Sequence, residues 1–109
     1  MSGTKPGGIT FENHLEKTKE PIKPIMLDLR KFVISLGSNV IEEVRPHRIV
    51  YSKTLNFRTF LDIEPTEGES LKLSIRYGRG IPPSSLVIMT DEDADNAKKQ
   101  IAEAYHKIQ

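Results

Sequence analysis

The residues with the widest chemical reach lie in the middle of the chain. Positions 45–80 hold seven bases against four acids, whereas residues 1–44 hold six of each and residues 81–109 hold three bases and five acids. Alternation along three extended segments sets Arg48, Arg58, Lys72 and Arg76 on one polar face of a sheet. Phe60 has the parity of Arg58, so it is expected beside them as a stacking surface, as strand-borne aromatics are in single-strand and RNA readers. Arg45, Lys53 and Arg79 extend this patch at its edges. Asp62 and Glu64 share the face, and opposite charges commonly pair across antiparallel strands, so an ordinary solvated face competes with a binding surface. The aromatics of an RNA-recognition sheet are missing. Tyr51 is expected on the core face with Ile49, where its hydroxyl needs a partner. If a sheet edge carries a pocket, Tyr51, Lys53 and Arg76 are the polar groups expected there.

Other combinations carry less chemistry. Ser84-Ser85 lacks the surrounding G-x-S-x-G of a nucleophile elbow and is expected to be a structural or exposed loop pair. His14, His47 and His106 have no local metal-ligand spacing. Asp91, Asp93 and Asp95 give the D-x-D-x-D opening of a calcium loop, but Asn96 and Ala102 stand where that loop needs Gly and Glu. The same acids suit the positive end of a helix, which is the preferred reading. Gly78-Arg79-Gly80 leads into two prolines rather than a helix, so a strand-end turn is preferred to a phosphate cradle. No catalytic motif emerges, and neither a cofactor nor a metal is expected.

Composition narrows the classes further. The 109 residues are 37% hydrophobic, carry a formal charge of +1 and contain no cysteine, which excludes thiol catalysis, disulfides and thiolate-bound metals. A net charge this small creates no global field of the kind that marks dedicated nucleic-acid binders. No apolar run approaches the roughly 20 residues of a membrane-spanning helix, and a cytoplasmic setting is expected.

The elements that position these residues follow from periodicity. Residues 1–9 read as a flexible arm, and residues 10–109 as one domain. Thr10 caps a short helix carrying Phe11 and Leu15. Ile22, Ile25, Met26, Leu29, Phe32, Val33 and Leu36 form the stripe of an amphipathic helix over about 21–36, with Pro21 and Pro24 at its start and a left-handed stop at Gly37. The period then changes. Ile49 and Tyr51, then Phe57, Thr59, Leu61 and Ile63, then Leu71, Leu73, Ile75 and Tyr77 mark the inner faces of three strands, the first beginning after Pro46. Turn formers in 54–56 and 65–70 make the strands antiparallel neighbours. After the connection GRGIPPSS, Leu86–Met89 gives a fourth short strand, and Thr90 with Asp93 opens a closing helix over 91–108.

Read in order, FVISLGSNV, RIVYSK, NFRTFLDIEP, LKLSIRYG and VIMTDEDADNAKKQIAEAYHKI resemble a small prokaryotic domain of unknown function. That domain, often called a predicted transport protein, occurs alone or behind restriction-endonuclease-like nuclease modules and is distantly similar to YdhG-like α+β domains. The likeness covers about residues 10–108. This chain departs from the pattern before the last strand, where many such domains carry a longer segment containing Gly and His. The resemblance implies a fold and brings no catalytic residues.

Together these readings lead to an α+β protein: a three- or four-stranded, mainly antiparallel sheet with two main helices on one face and a short N-terminal helix at an edge. The expected function is a non-catalytic binding or accessory module whose open sheet face contacts nucleic acid or a nuclease-type partner. The alternatives are a homo-oligomeric interaction module using the same face, and a small-ligand or metal-handling protein. A monomer or a homodimer fits, and no membrane partner is expected.

Overall fold

The fold was obtained as a computed structural model, and the structure describes residues 9–53, 58–66, 69–78 and 80–108. The expectations for the arm at residues 1–8, the 54–56 turn, Phe57 and Arg79 lie outside the described residues. Chain order is α1 (Phe11–Glu16), α2 (Lys23–Ile34), β1 (Val40–Val44), β2 (Ile49–Lys53), β3 (Thr59–Thr66), β4 (Ser70–Ile75), β5 (Ser84–Ile88) and α3 (Asp91–Lys107). Both α1 and α3 open with a reciprocal cap. Thr10 accepts from the Asn13 amide while Asn13 accepts from the Thr10 amide, and Thr90 and Asp93 repeat the arrangement. Pro24 sits in the first turn of α2, where its missing N–H costs no helical hydrogen bond.

One antiparallel sheet runs in the order β1-β2-β3-β4-β5. Among the described residues it has five strands rather than three or four. The added strand, β1, reads Val-Ile-Glu-Glu-Val, and its register against β2 pairs Val44 with Ile49, Glu42 with Tyr51 and Val40 with Lys53. Those pairings put Glu42 on the same face as Tyr51, the inner face, where a sequence pattern leads one to look for an apolar side chain. β5 begins at Ser84, so Ser84-Ser85 is strand and not loop.

The register between β2 and β3 slips between Tyr51 and Ser52, with Tyr51 opposite Leu61 and Ser52 opposite Thr59. Phe60 is the extra residue of this bulge. A bulge lets two successive residues lean to one side, and Phe60 and Leu61 are both fully buried in the core. Phe60 therefore leaves the polar face and packs edge-on against Tyr105 of α3, ring centroids 5.4 Å apart. Thr59, expected inward, shares the outer face with Ser52, their hydroxyls 3.3 Å apart.

The helices cover the inner face. Ile25, Met26, Leu29 and Val33 of α2 and Ala94, Ala97, Ile101, Ala104 and Tyr105 of α3 close over Ile49, Tyr51, Leu61, Ile63, Leu71, Leu73, Ile75 and Ile88. α2 ends at Ile34, where the Ser35 amide bonds back to Lys31 and Phe32. Gly37 is not left-handed, contrary to expectation, since the positive φ values among described glycines fall at Gly78 and Gly80. What holds position 37 to glycine is space: an added Cβ would run into the Tyr105 hydroxyl and would stand 2.9 Å from the Asn39 carbonyl oxygen, the two groups that hydrogen-bond to each other beside it. Among the described residues no helix is long and apolar enough to cross a membrane.

Candidate functional site

Among the described residues no helix covers the outer face of the sheet, and a concavity of about 580 Å³ opens on it. Its construction starts at the β1–β2 turn. The Arg45 amide donates to the Arg48 carbonyl at 2.8 Å, closing a tight turn around Pro46 and His47. This turn delivers two guanidinium groups to the rim. His14 of α1, itself buried, donates from Nε2 to the Arg45 carbonyl at 2.7 Å and ties the turn to the body of the protein. Arg58, just before β3, and Arg76, just after β4, complete a set of four arginines bordering the cavity.

Asp62 lies at the centre of this set. On β3 it stands opposite Val50 of β2 and Ser74 of β4, so it occupies the middle of the sheet. The residue is only 7% exposed. Arg48 Nη1 and Arg76 Nη2 each approach its Oδ2 at 3.5 Å. Charge-assisted hydrogen bonds between such groups run to roughly 2.7–2.9 Å, so both guanidiniums stand off from the carboxylate. Arg45 feels the same carboxylate at longer range. Val50, 3% exposed, and Ile81 supply apolar surface to the same cavity.

A second acid, Glu42, is held quite differently on the inner face. Arg30 of α2 donates to it through Nε at 2.8 Å and Nη2 at 2.9 Å, and the Tyr51 hydroxyl donates at 2.7 Å. Burial pushes the Glu42 carboxyl up, but the hydrogen bonds from Arg30 and Tyr51 outweigh it and leave the group below its ordinary value of 4.5. Burial, reinforced by donation to Glu42, pushes the Tyr51 phenol well above its ordinary value. The bond to Glu42 raises Arg30 further still.

The residues singled out from sequence separate into groups. Arg48, Arg58 and Arg76 come together around the cavity, joined by Arg45. Lys72 shares the outer face, exposed, but lies opposite Glu64 in register and does not line the cavity. Phe60 is corrected from stacking platform to core side chain, because the β3 bulge turns it toward α3. Tyr51 and Lys53 do not form a pocket with Arg76. Tyr51 is spent on Glu42, and Lys53 caps the C-terminal end of α3, donating to the Ile108 carbonyl at 3.0 Å with its ammonium 4.3 Å from the Tyr105 ring centroid. Asp62, read from sequence only as a charge counting against a basic patch, is the residue around which the arginines gather. Alternation places Asp62 on the right face, but that its neighbours there are arginines adjoining β2 and β4 depends on strand pairing, which the local sequence does not state.

The remaining candidates are absorbed by structure. Asp93 accepts from the Met89 and Thr90 amides, and the Met89 bond first of all draws its carboxyl below the ordinary value. Ser84 donates to Gln100 of α3 at 3.2 Å. His47 and His106 are exposed, apart from the buried His14, and no cluster of three or more metal-ligating side chains forms among the described residues. No protein-family profile, curated protein or solved structure matches this chain.

Proposed function

We propose that this protein is a non-catalytic binding module that engages nucleic acid through the outer face of its sheet. The observation that carries this reading is the gathering of Arg45, Arg48, Arg58 and Arg76 around one cavity, on a chain whose net charge is only +1. Guanidinium groups match phosphate oxygens in bidentate fashion, and a local cluster concentrates positive potential where the chain as a whole has none. Arg48 and Arg76 remain about half exposed, with side-chain exposures of 46% and 44%, so a nucleic-acid strand reaches them without disturbing the core. The test is a titration with fluorescent single- and double-stranded oligonucleotides at two salt concentrations, comparing wild type with the Arg58→Ala/Arg76→Ala double variant. Binding that falls steeply with salt, and whose salt slope is smaller by about two phosphate contacts in the variant, supports the reading. Absence of binding at low salt overturns it.

A second reading rests on the sheet edge. β5 is an outer strand, and its Val87 and the following Met89 are 59% and 58% exposed. An apolar, unpaired edge suits pairing with a second copy of the chain. A mass that rises with protein concentration, and that stays monomeric in Val87→Lys, supports this alternative.

A further inference from the structure

We propose that the outer-face cavity is a base-reading pocket selective for an unpaired guanine, with Asp62 as the reading group. This rests on the nucleic-acid reading above and sharpens it. A pocket made only to hold phosphate has no use for a carboxylate at its centre. Asp62 repels any anion placed there, yet it sits nearly buried on the middle strand between its two ion-paired arginines. Its two arginines stand at 3.5 Å rather than closing on it, so the carboxylate keeps acceptor capacity and the guanidiniums keep donors. Glu42 shows what this chain does with an acid that serves the fold alone: three hydrogen bonds, all between 2.7 and 2.9 Å.

The ligand that fits must offer donors to the centre and anionic or acceptor groups to the surround. Along its pairing edge guanine presents two adjacent donors, the N1 imino and N2 amino groups, followed by the O6 acceptor. A carboxylate takes the two donors through its two oxygens, and an arginine beside it donates to O6. The other bases match worse. Adenine and cytosine each set one amino group beside a ring nitrogen acceptor that a carboxylate repels, and thymine and uracil flank one N–H with two carbonyls. Arg48 and Arg76, on either side of Asp62, are the groups placed to meet O6. Arg58 and Arg45, whose guanidinium is shared with the Glu43 carboxylate at 3.1 and 3.2 Å, border the same cavity and are placed for the flanking phosphates, and Val50 and Ile81 give the base an apolar contact. The cavity volume of about 580 Å³ falls within the roughly 300–1,000 Å³ of small-ligand clefts. The edge that is read is the one buried in a duplex, so the target is single-stranded.

The experiment uses fluorescent thymidine tracts of equal length carrying one central dG, dA, dC or deoxyinosine, titrated against wild type and Asp62→Asn at low salt. Deoxyinosine is deoxyguanosine without the N2 amine, so it deletes one donor and leaves the protein untouched. The expected result is that dG binds about tenfold more tightly than dA, dC or the plain tract, that deoxyinosine loses most of this gain, and that Asp62→Asn abolishes it while keeping the salt dependence. Equal binding of all tracts overturns the guanine assignment and leaves the phosphate-binding module standing. Equal affinity for dG and deoxyinosine, or a preference that survives in Asp62→Asn, also overturns it. Failure of every tract to bind removes both proposals. The deoxyinosine comparison decides the matter even where the Asp62 variant folds poorly.

Discussion

The two sides of the sheet each hold an acid paired with arginine, half-buried Glu42 on one and buried Asp62 on the other, and they treat it in opposite ways. On the helix-covered side Glu42 receives two hydrogen bonds from Arg30 and one from Tyr51, so strand β1, strand β2 and helix α2 are locked together through one carboxylate. On the outer side Asp62 is more deeply buried, but Arg48 and Arg76 approach it at 3.5 Å from about half-exposed positions. The first cluster is saturated and belongs to stability. The second holds groups of both charges in reserve at the mouth of a cavity. A buried polar group that the fold satisfies fully stiffens it, while one left partly satisfied is where a ligand gains by completing the shell.

The largest effect that tests this contrast comes from Phe60. Phe60→Ala empties a fully buried site against Tyr105 and is expected to cost about 3–5 kcal/mol in urea unfolding. Were Phe60 a surface stacking residue, stability would hold and only oligonucleotide affinity would drop. Glu42→Ala comes next: it strands the buried Tyr51 hydroxyl and Arg30, with an expected loss of about 2–3 kcal/mol, and a loss below about half a kcal/mol would dissolve the distinction between the two acids. Gly37→Ala forces a Cβ against the Tyr105 hydroxyl and is expected to cost about 1–3 kcal/mol, read as a lowered melting temperature.

Acid separates the two faces in a subtler way. The Glu42 carboxyl is held below its ordinary 4.5 in the folded protein, so its contribution is fully present above the unfolded value and is lost as pH falls through the folded one. Stability is therefore expected to decline below about pH 4.5 with a steeper slope in wild type than in Glu42→Gln, and parallel slopes would show that Glu42 is not the linked group. The smallest change is reserved for Asp62→Asn, whose exposed partners screen the pair: less than about 1 kcal/mol, measured by the urea midpoint. A greater loss than in Glu42→Ala would reverse the assignment of structural and functional acid.

The legible parts of this fold were those where local pattern and burial agree. The stripe from Ile22 to Val33, the Thr90–Asp93 cap and the alternation from Leu71 to Ile75 each describe an element whose inward positions are apolar, so periodicity finds them. β1 escaped because Glu42 occupies an inward position, and only Arg30 from a helix and Tyr51 from the next strand make an acid acceptable there. Phe60 was misplaced because strict alternation assumes an unbroken register, and the slip at Tyr51–Ser52 is a property of two paired strands rather than of either one. Of the proposed site, Arg48, Arg58 and Arg76 were visible as a basic middle; Lys72 was grouped with them because parity reports a face and not a distance.

By itself the sequence determined the α+β class, the helix stripes, both caps, the absence of thiol chemistry and the excess of bases in residues 45–80, because each depends on residue type or on spacing along one segment. Tertiary structure alone decided which acid became a lock and which became the centre of a cavity. Glu42 and Asp62 are both acids among strand residues, and their burial and partners come from chain segments remote in sequence. Electrostatic roles depend on distance and solvent access in three dimensions, and neither is written in the local order of the residues.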